Sequence, residues 1–364
     1  MNGSLRYVQR LHTLDLLTGK DRRPAVEIRA SVPGTGSGTR MGKVEFDPLR
    51  ENPRAALLLV RGVIYLAWAS SCDVGPYHGW IMAYDAGTLK QLGVLNTSPN
   101  GDEAGIWQGD AGLAADASGN VYAVTGNGTF SAALNAPAYG NTILKLALTG
   151  NGLVVRDYFT PSDQAALSSA DADLGSSGPI LLPDDQGSDQ HLLFVTGKAG
   201  MSYLVDRDNM GRFRAGKNPH ARQTLQTSDG GYGASAYWNH TLYIWGSNAP
   251  LKAYKVADGR VALNPTVGAT TGTDPGATPV VSANGMRDAI VWAIETRTWN
   301  GPDKPAVLHA YDALNVQHEL YHSEMNPRRD RAGLATRFAI PTVGGGRVFV
   351  GGKGEISVYA LLSA

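Results

Sequence analysis

The sequence predicts an all-β chain folded as a β-propeller of four-stranded blades, and three observations carry that expectation. The first is a recurring strand signature. His12, Thr13, Leu14 and Asp15, followed by Thr18 and Gly19, return as Met82, Ala83, Tyr84 and Asp85, followed by Thr88. Weaker copies lie at 144–150, 203–208, 253–259, 308–312 and 358–360. Aligned on the Asp slot, the copies fall at 15, 85, 146, 206, 255, 312 and 360, so their spacings are 70, 61, 60, 49, 57 and 48 residues. The second is a partner run, apolar and tipped by an aromatic, upstream of six copies at Tyr65, Tyr122, Phe194, Tyr243, Trp292 and Phe349. Recurrence of this length, with strand character in each copy, is the mark of one blade per copy. The third is composition: 45 Gly and 19 Pro punctuate short Val, Ile, Leu and Tyr runs, as many tight turns between short strands require.

Within a blade the strands run A to D from the axis outward, and each can be assigned in turn. The aromatic-tipped runs are B strands. Arg61-Gly62, Ser118-Gly119-Asn120, Asn239-His240 and Gly344-Gly345-Gly346 supply the A-to-B hairpin turns. The inner A strands then lie at 55–60, 112–115, 178–182, 233–237, 278–282 and 339–343, small and apolar as a crowded axis demands. The Asp-slot copies are C strands. Apolar residues at helical spacing occur best at 162–172, a single short candidate helix.

The two ends are incomplete. The copy at Asp15 has a C strand and a D strand at 25–32 but too few residues before it for A and B, whereas 338–361 supplies A, B and C and then stops. Five complete and two partial blades are expected, about seven sectors in one domain over 1–364. The partial sets either share a joint, since an open edge invites pairing, or mark a fragment that lacks roughly a blade at its front.

Thirty-two basic and 32 acidic residues cancel, which speaks against nucleic acid or an anionic membrane as partner. No run approaches the roughly 18 apolar residues of a membrane span, and residues 1–7 have no apolar signal-peptide core. The lone Cys72 excludes an internal disulfide and any multi-cysteine metal site. Asn96, Asn127 and Asn239 begin Asn-x-Ser/Thr triplets that Gly- and Asn-rich turns also generate by chance.

HTLDLLTGK at 12–20 and MAYDAGTLK at 82–90 are similar to the AxDxxTGxxxW tryptophan-docking repeat. With GPYHGW at 75–80, the 106–130 segment and YLVDRDNMG at 203–211, they make the chain resemble the quinoprotein-like, pyrroloquinoline-quinone-repeat propellers of bacteria over nearly its whole length. The resemblance is to an uncharacterised secreted subgroup. It implies a ring of usually eight blades, of which this chain would lack about one together with an export signal. It also implies a periplasmic or extracellular setting, with quinone and Ca²⁺ as cofactors by resemblance only. The departures are specific. The repeat's closing Trp is replaced by Arg22-Arg23 and by 93–95. The vicinal disulfide on which quinone-dependent alcohol dehydrogenases stack their cofactor cannot form from Cys72 alone. The segment 171–174 resembles the Asp-bearing start of one inner strand, without a Glu/Asn pair for calcium. Fold transfers on such a likeness; catalysis does not automatically follow.

D-to-A and B-to-C connections emerge on the same face of a propeller, so their side chains should line one end of the central funnel. The D-to-A set is Trp107, Gln108, Asp110, Asp171, Asp173, Asp229, Tyr232, Asp274, Thr336 and Arg337. The B-to-C set is Asp73, Tyr77, His78, Asn127, Lys198, Trp299 and Lys353. Carboxylates, lysines, a histidine and aromatics converging from different blades suit a small polar ligand, with Asp171, Asp173 and His78 as the catalytic candidates. Blander roles stand beside these. Asp171 and Asp173 also suit turns, Trp107 and Trp299 could plug the funnel, and His78 lacks a neighbouring nucleophile. Asp85, Asp206 and Asp312 read as structural turn residues, and Arg207, Arg212 and Arg214 as a solvated edge. Three functions follow: a non-catalytic scaffold for a protein, glycan or small polar ligand; a quinone- and Ca²⁺-dependent alcohol or sugar dehydrogenase; and a hydrolase or lyase built on His78, which no GxSxG, HExxH or Walker loop supports.

Overall fold

The computed structural model describes residues 5–109, 111–134, 137–184, 191–216, 221–296 and 304–361. Five four-stranded antiparallel blades follow one another. The first comprises Leu58–Val60, Val63–Ser70, Trp80–Asp85 and Gln91–Asn96, with Glu51–Asn52 added beyond Leu58–Val60 on the same neighbour. The second runs from Ala114–Ala115 to Gly152–Phe159, and the third from Ile180–Leu181 to Ala221–Gln226. The fourth runs from Ala236–Trp238 to Thr266–Thr271, and the fifth from Val280–Asn284 to Glu319–His322. A last sheet of three strands, Thr342–Gly344, Arg347–Gly352 and Glu355–Ala360, completes the series. The expected helix is present at Gln164–Ser169, in the connection between the second and third blades.

Among the described residues the N-terminal sector shows no inner strands, as the sequence predicts, but its outer part differs from the single D strand expected at 25–32. Val26–Glu27 pairs with Arg10–Leu11, and Ser31–Pro33 pairs instead with Lys43–Glu45. The chain changes partner at Arg29 and Ala30, after Ile28 N–H donates to Gln9 O and before Ala30 O accepts from Phe46 N–H. The tip of the second hairpin then lies on the 99–101 turn. Gly36 and Ser37 donate to Pro99 O and Gly101 O, and a Cβ on Gly34 or Gly36 would collide with those same carbonyls. Only glycine allows that approach.

Period-two alternation explains the stack. Tyr65, Ala67, Ile81 and Ala83 face the second blade and meet Val121, Ala123, Leu144 and Leu146. Leu66, Trp68, Met82 and Tyr84 point the other way, onto Leu11, Ile28, Val44 and Phe46 of the N-terminal hairpins. The same device gives a core between each successive pair of sheets, the last built from Ile294, Leu308, Val348 and Val350. Strands buried on both faces read as near-continuous apolar runs, which is why the B and C segments carry the repeat so visibly. The recurring Asp is explained too. Asp85 Oδ1 accepts from Thr88 N at 2.6 Å and Thr88 Oγ1 at 2.7 Å, and Asp15 accepts from Thr18 in the same way. Asp206 and Asp312 each take the amide two residues on.

Two outer faces have no neighbour among the described residues. Leu57 and Leu59 beside the first inner strand are 62% and 66% exposed, and Ile356 and Val358 on the last sheet are 70% and 52% exposed. By contrast Trp245, between the fourth and fifth blades, donates to Ala249 O at 2.9 Å and meets Tyr311 edge to face at 5.7 Å. Trp245→Ala should therefore lower unfolding stability by about 3–5 kcal/mol, whereas Leu59→Ser should change it by about 0.5 kcal/mol or less. Denaturant titration of the two variants checks this; equal losses would mean that the two faces are equally covered.

Glu51 gives a second test. Its Oε1 accepts from Trp80 Nε1 at 3.2 Å and from His78 N at 3.3 Å, its Oε2 has no hydrogen-bond partner, and burial pushes its carboxyl up to about 8. The folded chain thus holds a proton that the unfolded chain has released. Stability is fully present below the unfolded value of 4.5 and falls as pH rises towards 8, by on the order of a few kcal/mol. Glu51→Gln should flatten that slope between pH 5 and 8 in chemical denaturation; an unchanged slope would place the proton elsewhere.

Candidate ligand site in the funnel

The inner connections converge on a cavity of about 670 Å³. Its lining includes Asp73, Tyr77, Trp107, Asn127, Asp171, Asp173, Lys198, Tyr232 and Arg337, nine of the residues nominated from sequence, drawn from the first, second and third blades and from the connections that lead into the fourth blade and the last sheet. The ends of the sheet series meet here. The Arg54 guanidinium, just before the first inner strand, lies 5.1 Å from the Phe338 ring, just before the last sheet.

Three groups of side chains make up the site. The first is cationic and aromatic. Arg54 lies over Trp107 at 5.4 Å as well as over Phe338, and Arg337 lies over Phe338 at 4.9 Å and Tyr232 at 5.9 Å. Cation–π contact favours the guanidiniums beside these rings. Burial lowers Arg337 from the usual guanidinium range.

The second group is an ion pair at the cavity wall. Lys198 Nζ donates to Asp171 Oδ2 at 2.7 Å and sits 3.5 Å from Asp173 Oδ2. Asn127 ties both carboxylates to the second blade: its Nδ2 donates to Asp171 Oδ1 at 2.9 Å and its backbone N–H to Asp173 Oδ1 at 2.8 Å. Asn141 closes the network, with Nδ2 donating to Asn127 Oδ1 and Oδ1 accepting from Leu174 N. Burial alone would lower the Lys198 ammonium, but the two aspartates hold it above the ordinary range; burial raises Asp173. The carboxylate of Asp173 does not cap its own turn but reaches 46 residues back along the chain. Gly126 is needed beside it, because a Cβ there would meet Asp173 Oδ1 and come within 2.6 Å of Trp107 Cδ1.

The third group is acidic. Asp73 and Glu103 line the cavity next to Tyr77, whose ring meets Trp107 edge to face at 6.1 Å. Burial raises Glu103, and Asp102, Asp73, Asp173 and Asp171 raise it further; burial and neighbouring carboxylates also push the Tyr77 phenol up. Asp73, Glu103, Asp171 and Phe338 all stand at positive φ, between 52° and 65°. Such conformations cost free energy in non-glycine residues and persist where the surroundings over-determine them.

The remaining nominated residues lie elsewhere. His78 is 3% exposed, with Nδ1 within hydrogen-bond distance of Ser98 Oγ at 2.9 Å and Nε2 of Ser37 O at 2.9 Å; burial lowers it, so it is a neutral structural imidazole behind the cavity wall. Gln108 is buried and donates to Gly112 O. Asp274 accepts from Ser247 Oγ at 2.9 Å, Asp229 and Thr336 are exposed, and the Lys353 backbone pairs with Leu334. Trp299 and Asp110 lie outside the described residues. Arg54, Glu103, Ser168, Ser176 and Phe338 line the cavity without having been nominated. Glu103, Ser168 and Phe338 were within reach of the sequence, because they flank nominated loops or lie on the candidate helix. Arg54 gave no signal, since it precedes a strand whose approach to the axis is a tertiary fact.

Among the described residues no group of three or more His, Cys, Asp or Glu side chains could hold a metal ion, and no helix is long and apolar enough to cross a membrane. No protein-family model and no curated protein matches the sequence. Solved structures do resemble it in fold. The quinohemoprotein alcohol dehydrogenase ADHIIG of Pseudomonas putida HK5 superposes with a TM-score of 0.54 at 15% identity, over 94% of this chain and 59% of that one. Saccharomyces cerevisiae Sqt1 superposes at 0.52 and 12% identity, over 85% and 72%. The β-propeller domain of Myceliophteria thermophila Cps50 (Swd1) gives 0.49 at 12%, over 97% and 90%. The chain thus spans 59% of the length of the dehydrogenase it resembles, and at these identities the likeness is one of fold: an all-β propeller of four-stranded blades.

Proposed function

We propose that the protein is a quinoprotein-like propeller that binds a small polar ligand in its funnel and performs no chemistry on it. The observation that carries this reading is the Lys198 ion pair. The two carboxylates best placed to serve as a base or to hold a cation, Asp171 and Asp173, already share an ammonium and two donors from Asn127. Binding in such a site draws on stacking and on charged hydrogen bonds. The repeat resemblance also supports a bacterial, exported, periplasmic or extracellular setting.

The dehydrogenase reading asks for a quinone with Ca²⁺, and the residues do not fit that pair. The chain has one cysteine, Cys72, so no vicinal disulfide can carry the cofactor. Lys198 puts a fixed positive charge beside the carboxylates a Ca²⁺ would need. The hydrolase or lyase reading fares no better, because His78 has both ring nitrogens engaged away from the cavity.

A thermal-shift screen of polar metabolites and short glycans against the intact chain and Trp107→Ala tests the binding reading. Hits on the intact chain should disappear in the variant, whose melting temperature should fall by only a few degrees. Hits that persist in Trp107→Ala would move the ligand out of the funnel. Equilibrium dialysis with pyrroloquinoline quinone and Ca²⁺ tests the cofactor: weaker than micromolar retention is expected, and submicromolar binding would return the dehydrogenase reading.

A further inference from the structure

We propose that the protein has a second binding site, on the seam between the second and third blades, that takes a phosphate group, free or carried on a larger molecule. It shares no lining residue with the funnel and stands independently of the reading given to that cavity.

A cavity of about 500 Å³ lies there, and its charged lining is Lys145, Arg156, Asp157, Asp208, Arg212 and Arg214. Lys145 stands on the third strand of the second blade, Ile143–Thr149, and Arg156 and Asp157 on its fourth, Gly152–Phe159. The pairing of these strands slips by one residue, from Lys145 with Asp157 to Leu146 with Val155, so Arg156 is the extra residue of a β-bulge. A bulge re-aims side chains, and here Arg156 joins Asp157 in the cavity lining. The slip recurs in the first, third and fifth blades, so the bulge belongs to the fold. What is particular to this seam is the basic loop of the third blade, 208–214, that returns over it. That loop is tied down: Met210 N–H donates to Asp157 Oδ2 at 2.9 Å, Arg212 N–H to Tyr158 O at 2.9 Å, and the Phe213 ring meets Phe130 at 5.0 Å.

Both carboxylates of the cavity are already committed. Asp157 Oδ1 accepts from Tyr158 N at 2.9 Å and lies 4.0 Å from Arg212 Nε, its Oδ2 takes Met210, and Asp208 Oδ2 lies 2.7 Å from His191 Nδ1. Lys145 Nζ spends one of its three N–H groups on Arg207 O at 2.8 Å. Among the described residues Arg156 and Arg214 have no carboxylate at ion-pair distance. Four cations against two acids leave a surplus of two positive charges. The surplus is local, since basic and acidic residues cancel at 32 each over the whole chain, and an extended nucleic acid would meet no continuous field. A phosphate monoester carries about two negative charges near neutral pH and three acceptor oxygens. One such group offsets the surplus and can accept from guanidiniums of both blades, whereas a carboxylate offsets half of it.

Isothermal titration of the intact chain with inorganic phosphate, glucose 6-phosphate and acetate tests the assignment, at low ionic strength because salt screens charges that are open to solvent. Both phosphates should bind, and acetate about tenfold more weakly. Glucose 6-phosphate binding at least as tightly as inorganic phosphate would mark a carried group as the ligand, and weaker binding would mark the free ion. Arg156→Gln and Arg214→Gln should each weaken phosphate binding about tenfold, the loss expected for one charged hydrogen bond. Arg260→Gln, at an exposed arginine on the fourth blade, should leave it unchanged. Circular dichroism confirms that each variant folds. No binding of either phosphate, acetate binding as tightly, unaffected phosphate binding in either cavity variant, or an equal loss in Arg260→Gln would each overturn the phosphate site.

Discussion

Everything in this molecule depends on burying both faces of each blade. A sheet's apolar face must be buried against another element, and here each complete blade spends alternate residues on its two neighbours: Tyr65 and Ala67 on one side, Leu66 and Trp68 on the other. Sheets stacked in this way fan around an axis because each is twisted. The fan brings together residues that are far apart in sequence, and the contact of Arg54 with Phe338 shows that the first and last sheets reach each other at their inner ends. Among the described residues the facing flanks of these two sheets stay uncovered: Leu59 on the first inner strand and Val358 on the last sheet remain exposed. The Arg54–Phe338 contact joins the inner ends, so the funnel is assembled where the first and last sheets meet.

The site inherits its rigidity from that scaffold. Its side chains stand on connections whose ends are fixed by strands, and several sit in strained conformations that a loose loop would relax. The Asn141–Asn127–Asp171–Lys198 chain runs between the second and third blades, so a stabilising contact between blades and the shaping of the cavity are the same set of hydrogen bonds. Gly126 shows how tight the arrangement is, because even a methyl group there would displace both Trp107 and Asp173.

How much of this was legible in the sequence follows from the range of the interactions. The B and C strands were legible because alternation and the Asp-Thr turn are local: Asp85 and Thr88 announce a turn whatever surrounds them. The funnel loops were legible as a group, since propeller topology places every B-to-C and D-to-A connection at one end. What topology could not supply was the direction of a side chain. His78 and Tyr77 are neighbours in one loop, yet Tyr77 faces the cavity and His78 is turned into Ser37 and Ser98. Ser37 belongs to a hairpin that no local pattern marked, because its pairing of Ser31–Pro33 with Lys43–Glu45 depends on where the 99–101 turn lies. Asp173 fell between the two roles open to it, neither capping its own turn nor standing free, because its partner Asn127 is on another blade.

Three acidic sites in the chain are stabilised in three different ways, and the contrast bears on function. Glu51 is kept neutral by burial, with an indole and an amide as donors. Glu319 and Glu295 flank His309 at 2.6 and 3.5 Å; burial alone would lower the imidazole, but the two glutamates hold it above its ordinary range. Both of these sites are sealed within the packed sheets, so their electrostatics are settled once the chain folds. Asp171 and Asp173 are compensated by Lys198 at the wall of an open cavity that Asp73, Glu103, Arg54 and Arg337 also line. Of the three, this is the site that a molecule from solvent can reach, and a ligand's charge pattern is what such a site can read.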